Sequence, residues 1–174
     1  MVFKIRVILD IKEDVIRTIL IQDSKTLEDL HKTISKEFGF NGQQMASFYQ
    51  TDNDWNQGKE IPLINMDEDS LNPICMATTT IKENIKMLGE KLIYVYDFLE
   101  MWTFYVELVE ISENLLEKDL PKLILSIGNV PEKAPNKEFK SSKTEKKEAE
   151  FDEFESIEDS DEFENLDNFD FDNY

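Results

Sequence analysis

The stretch "GEKLIYVYDFLEMWTFYVELVEI", residues 89–111, constrains the fold more than any other part of the chain. Two runs of Tyr, Phe, Val and Ile flank a short centre, and such residues favour a pleated, half-buried backbone. Two runs of this kind around a short break make a hairpin. On the incoming strand Ile93, Val95 and Asp97 share one face, and Tyr94, Tyr96 and Phe98 share the other. On the outgoing strand Trp102, Phe104, Val106 and Leu108 alternate with Thr103, Tyr105, Glu107 and Val109. Both faces of the incoming strand are apolar, which predicts a central strand covered on both sides. "FLEM" is the turn. A chain with this hairpin must build a sheet around it.

The other segments supply that sheet. Val2 to Ile11 alternates, with Phe3, Ile5, Val7 and Leu9 on one face. After "KEDV" comes "IRTILI", Ile16 to Ile21, and the pair predicts a second antiparallel hairpin. "SKTLEDLHKTISKEFGF" changes period: Leu27, Leu30, Ile34 and Phe38 fall at helical spacing. Thr26 with Asp29 fits a capping box there, and Gly39 a C-terminal cap. "MASFYQT" predicts a third strand, and "DNDWNQGKEIPL" a turn into a fourth that Pro62 pushes to a sheet edge. "INMDEDSLNP" reads as loop. "TTTIKENIKMLG" predicts a second short helix, with a Thr80/Glu83 capping box and Gly89 as its end. "ENLLEKDLPKLILSIG" predicts a helical turn and a last strand, Lys122 to Ile127. This order describes an α+β domain: a mainly antiparallel sheet with one helix packed across it, β-grasp-like.

Charge separates the ends of the chain. Its 174 residues hold 38 acids and 19 bases, a net charge of −19, yet Glu148 to Tyr174 alone carries 13 acids and no base. The remainder nets −6. The folded domain is therefore expected over residues 1–131, and a disordered Lys/Glu linker with an acidic-aromatic tail over residues 132–174. Acidity of this kind disfavours direct nucleic-acid binding, which rests on clustered Lys and Arg. It disfavours an anionic membrane surface for the same reason. No apolar run approaches the ~20 residues that span a bilayer. Charges interrupt the apolar start, against a secretory leader, and Cys75 is the single cysteine, so no internal disulfide can form. The expected location is the cytoplasm.

Candidate chemistry is sparse. One His and one Cys, His31 and Cys75, are too few for a Cys/His zinc site. Cys75 sits among apolar neighbours in "NPICMATTT", as a buried inert thiol would; His31 flanks the apolar stripe of its helix. "DNDWNQGKEIPL" opens like a calcium loop at Asp52, Asp54 and Asn56, but has Gln57 at the glycine position and Leu63 in place of a bidentate Glu. "NMDEDSLNPICM" departs in the same two places, at Ser70 and Met76. No Gly-rich phosphate loop or dinucleotide fingerprint is present. No metal, cofactor or catalytic residue is assigned. Asp97 and Glu100, at the hairpin end, read as turn-formers.

"LIYVYDFLEMWTFYVELVEI", with "DVIRTILI", "TLEDLHKTISKEFGF" and "LPKLILSIGNVPE", resembles the Ri-plasmid ORF-three-like domain family, whose members are often labelled insertion-element passenger or TnpR-like proteins. The resemblance runs from about Val2 to Glu132, with the segments in the same order. Its specific feature is a Tyr-Asp-Phe-Gly-Asp-x-Trp hairpin, matched here by Tyr96, Asp97, Phe98 and Trp102. The glycine of that motif is Leu99 here and its second Asp is Glu100; a His that often follows the Trp by two is Phe104. A later Gly-x-Cys-Pro-Pro-Glu segment stands as Gly128, Asn129, Val130, Pro131 and Glu132, without the Cys. The resemblance implies an α+β fold, no established enzymatic activity, and a setting near mobile elements.

The tail is acidic but patterned. Phe151, Phe154 and Ile157 are spaced by three, and Phe163, Leu166 and Phe169 repeat the spacing twelve residues later. Carboxylates interleaved with aromatics can solvate a chain, dock it to a protein, or imitate DNA before a basic groove. Three functions follow. The leading one is a non-enzymatic adaptor whose tail recruits a protein partner through those six residues. The second is an acidic DNA mimic that inhibits a basic nucleic-acid-binding protein. The third is an enzyme using Asp97 or Glu100.

Overall fold

The computed structural model describes residues 1–65, 74–113 and 119–134. Every described residue lies in one compact unit, Met1–Lys137. Its strands are β1 (Val2–Leu9), β2 (Ile16–Gln22), β3 (Ala46–Thr51), β4 (Gln57–Pro62), β5 (Lys91–Tyr96), β6 (Trp102–Ser112) and β7 (Lys122–Ile127). Its helices are α1 (Leu27–Glu37) and α2 (Ile81–Asn84). The strands form one sheet in the order β4-β3-β5-β6-β1-β2-β7, and every pairing is antiparallel.

The α+β, β-grasp-like expectation is corrected by this sheet. A seven-stranded antiparallel sheet dominates, and the described residues hold two short helices, of 11 and 4 residues, rather than a β-grasp-like sheet with one helix packed across it. The join that local periodicity does not encode is β1 against β6, which brings Ile5 beside Leu108 and Val7 beside Val106. It merges the N-terminal and the central hairpin into a single layer. The second helix is also shorter than predicted. Ile85 already has extended backbone (φ −129°, ψ 112°). The Glu90 carboxylate accepts from the Lys86 and Met87 N–H groups, so these are satisfied without a helix. Gly89, expected to end α2, instead donates its N–H to the Leu108 carbonyl (2.9 Å) at the entrance to β5.

One face of the sheet is the core. Phe3, Ile5, Val7 and Leu9 of β1, Ile19 and Ile21 of β2, Phe48 of β3 and Ile61 of β4 are buried there. They meet Leu92, Tyr94 and Tyr96 of β5 and Trp102, Phe104, Val106 and Leu108 of β6. Burying each large apolar side chain stabilises by about 1.5–3 kcal/mol before conformational entropy is charged against it. α1 presents Leu27, Leu30 and Ile34 to this face, and Phe38 packs edge-on against Phe104 (4.9 Å between ring centres). Its start is held by the capping box: Thr26 Oγ1 accepts from Asp29 N (3.1 Å), and Asp29 accepts from Thr26 N (3.2 Å). Such a cap contributes roughly 1 kcal/mol. Gly39 takes the left-handed turn after the helix (φ 82°), which a glycine adopts without a Cβ penalty.

The opposite face is more open. Ile93 is half-buried, so the expected cover on both sides of β5 fails there, although Val95 is buried. Trp55, on the β3–β4 loop, lies over this face against Tyr105 (4.7 Å), with Lys91 Nζ 4.7 Å from its ring. Pro62 does sit on an edge strand, β4. The "INMDEDSLNP" loop, except Ile64 and Asn65, most of the predicted helical turn and the whole 135–174 segment, including Phe151, Phe154, Ile157, Phe163, Leu166 and Phe169, lie outside the described residues.

Candidate functional site

The sequence motif Tyr96, Asp97, Phe98, Trp102 occupies the end of the β5–β6 hairpin, and the structure divides it in two. Tyr96 and Trp102, paired across the strands, are buried. Tyr96 donates its hydroxyl to Asn41 Oδ1 (2.8 Å), and Phe40 packs on both rings, 5.0 Å from Tyr96 and 5.1 Å from Trp102. Asp97 shapes the turn. Its Oδ1 accepts from the Leu99 N–H (3.1 Å) and the Glu100 N–H (3.4 Å), and its carbonyl accepts from Met101 N (2.6 Å). Its own N–H donates to the Met45 carbonyl (2.8 Å) on the neighbouring chain segment.

That turn is strained where glycine is absent. Asp97 (φ 58°) and Met101 (φ 56°) are both left-handed, a conformation that costs a non-glycine residue roughly 1–2 kcal/mol. Leu99 has no positive φ, so a leucine fits the place where the family motif has glycine. The turn breaks the strand alternation and turns apolar side chains to solvent: Leu99 is 94% exposed, Phe98 42% and Met101 42%. Phe98 therefore does not join Tyr94 and Tyr96 in the core. The signal in the sequence was a turn built from Phe, Leu and Met where Gly, Asn or Asp is usual.

Other candidate groups lie apart from this tip. His31 is buried in α1 with Nδ1 2.7 Å from the Tyr94 hydroxyl, and its ring also hydrogen-bonds the Gly42 backbone. Burial holds the imidazole below its usual titration range and pushes the Tyr94 phenol well above its own. This is a buried polar bridge between helix and sheet. Cys75, expected to be buried, is half-exposed; Met76 fills the core position instead. Thr78 lowers the thiol below its usual range by hydrogen bonding (Sγ to Oγ1 3.6 Å). The apparent calcium loop folds on itself: Asp52 Oδ1 accepts from Asp54 N and Asn56 N, both at 2.9 Å. Among the described residues, no group of three or more His, Cys, Asp or Glu side chains could hold a metal ion.

Two open hollows adjoin each other beside α2. One, of ≈ 480 Å³, is lined by Lys59, Ile61, Ile74, Thr78 and Thr79, with Gln50, Glu83 and Asn84 shared with its ≈ 300 Å³ neighbour. Gln50 Nε2 donates to Asn84 Oδ1 (3.0 Å) across their common wall. Asp97 and Glu100 line neither hollow.

The described residues form a domain built on a seven-stranded antiparallel sheet with an apolar hairpin tip. The chain belongs to the plasmid pRiA4b ORF-3-like protein family, whose sequence model matches residues 1–166. Its fold is similar to that of MM3350, a protein of unknown function from Methanosarcina mazei Go1 (TM-score 0.59, 20% identity). That similarity covers 75% of this chain and 72% of the other. No curated protein matches the chain. Among the described residues no helix is long and apolar enough to cross a membrane.

Proposed function

We propose that this chain is a non-enzymatic, cytoplasmic protein-binding domain that engages one partner through the hairpin tip and the acidic-aromatic tail. The observation that carries the reading is the tip itself. Leu99 is 94% exposed between Phe98 and Met101, on a turn fixed by the Asp97 carboxylate. Large apolar groups carried on a hydrogen-bonded turn need less backbone ordering on docking and can act as anchors in a partner's pocket. Glu100 and Asp97 beside them favour a basic rim around that pocket. The tail would add Phe151, Phe154, Ile157, Phe163, Leu166 and Phe169 as a second, linked contact, raising affinity through effective concentration.

A second reading rests on the 13 carboxylates, without one base, of residues 148–174: a DNA mimic that occupies the groove of a basic protein. The test compares partner capture by four forms of the chain: wild type, Phe98→Ser/Leu99→Ser, a Ser variant at Phe151, Phe154, Phe163 and Phe169, and a form ending at residue 132. The adaptor reading expects salt-resistant capture that falls at least tenfold in both Ser variants. Capture that survives both but vanishes in high salt replaces it with mimicry. Turnover of a small molecule that depends on Asp97 or Glu100 overturns both.

A further inference from the structure

We propose that β7 is a self-association edge, pairing antiparallel with β7 of a second copy about a two-fold axis and joining two sheets. This surface is separate from the hairpin tip and does not depend on the reading above. The two edges of the sheet are β4 and β7, and they differ in kind. β4 carries Lys59, Glu60 and Pro62, devices that keep an edge from pairing. β7, "KLILSI", has one charge, Lys122, and exposes Ile124 (41%), Leu125 (46%) and Ile127 (41%). A strand edge this apolar is a template for another strand.

Charge selects a second copy as the occupant. Residues 120–131 contain no acid, in a chain with 38 of them, so self-contact here avoids the repulsion expected elsewhere on the surface. An antiparallel two-fold pairing centred on the strand sets Lys122 of one copy beside Ile127 of the other. That end of β7 runs into Gly128, which packs so closely on Asp14 that a Cβ there would lie 2.1 Å from the Asp14 carbonyl oxygen. Glu13 and Asp14 are exposed. Each Lys122 would thus face the acidic β1–β2 loop of the other copy, and two-fold symmetry makes the contact twice. The edge is also preorganised: Arg17 donates to the carbonyls of Ile127 (2.7 Å) and Gly128 (3.2 Å), fixing the end of the strand. Six residues of edge bury a small area, so the dimer is weak and concentration-dependent.

The experiment is sedimentation of the full chain from low to high micromolar concentration. The mass should rise from 20.4 kDa toward twice that value. Leu125→Glu and Ile124→Lys should each remain monomeric with an unchanged melting temperature, while their mixture, which sets the two new charges directly opposite each other, should recover the dimer. Should either variant unfold, hydrogen exchange of the wild type decides: amides of residues 122–127 should gain at least threefold protection with concentration. The Phe98→Ser/Leu99→Ser variant should dimerise like wild type. A wild type that stays at 20.4 kDa throughout, a Leu125→Glu chain that dimerises normally, or a dimer lost in the tip variant overturns the proposal.

Discussion

Replacing Arg17 with Met should loosen one end of the sheet. Arg17 lies on the core face of β2, in line with Ile19 and Ile21, and is 7% exposed. Its guanidinium gathers carbonyls from three places. Nε donates to Glu37 (3.1 Å) at the end of α1, and Nη1 to Ile16 (3.0 Å) and Ile127 (2.7 Å). Nη2 donates to Gly128 (3.2 Å), and the Phe38 ring lies 5.1 Å from the guanidinium carbon. A cation at a helix C-terminus, bonded to carbonyls that the helix leaves unpaired, is placed where the backbone dipoles favour it. The same group ties β7 to β2 beyond their ladder.

The magnitude follows from opposing effects. A hydrogen bond to a charged group contributes about 1.5–3 kcal/mol. Burial opposes it, lowering the Arg17 pKa as the leading influence, with Glu37 acting the other way. Ile127 and Gly128 are exposed, so their carbonyls regain water once the guanidinium is gone. Met keeps the aliphatic stem packed. The net loss should be about 2–4 kcal/mol, set mainly by the Glu37 carbonyl and the Phe38 contact. Arg17→Lys should recover a minor part, because an ammonium cannot reach four carbonyls spread around a planar fork. Urea unfolding measures the loss, and hydrogen exchange should show β7 amides opening before those of β5. If Arg17→Met leaves the midpoint unchanged, the guanidinium is not what joins α1 to β7.

Two further outcomes follow from the core. Trp102→Ala should cost about 3–5 kcal/mol, since the indole is buried against Phe40; an unchanged melting temperature would place Trp102 outside the core packing. His31 titrates below its usual 6.5 when folded, so the unfolded chain takes up its proton first as pH falls. The stability contributed by neutral His31 is therefore complete above pH 6.5 and declines below it until the folded pKa is reached. Denaturation midpoints of wild type should fall through that window while those of His31→Gln stay flatter.

How much of this was legible in the sequence depended on the range of the interaction. Each strand and the capping box of α1 rest on neighbours within a few residues, and there the periodicity pointed to the right places: Lys122–Ile127 is the strand that its residues predict. The sheet order is different. Nothing near Ile5 specifies Leu108 as its neighbour, because β1 and β6 each present an apolar face that suits many partners. The β-grasp-like arrangement was one consistent assembly of the same pieces, and long-range pairing chose another. Arg17 was hidden by its type. In "IRTILI" a charged residue reads as solvent-facing, yet the register sets it opposite Val7 and Ser126 on the covered face, where only tertiary carbonyls make it tolerable. Cys75 and Met76 were exchanged for the reverse reason: in "NPICMATTT" both are apolar enough for the interior, and the chain buries the longer one. The hairpin tip was legible in part: Asp97 and Glu100 read as turn-formers, and the Asp97 carboxylate does hold the turn, but strand alternation does not show that Phe98, Leu99 and Met101 face outward. Two left-handed non-glycine residues and three exposed apolar side chains coincide in this one turn, and that coincidence is what the proposed binding role rests on.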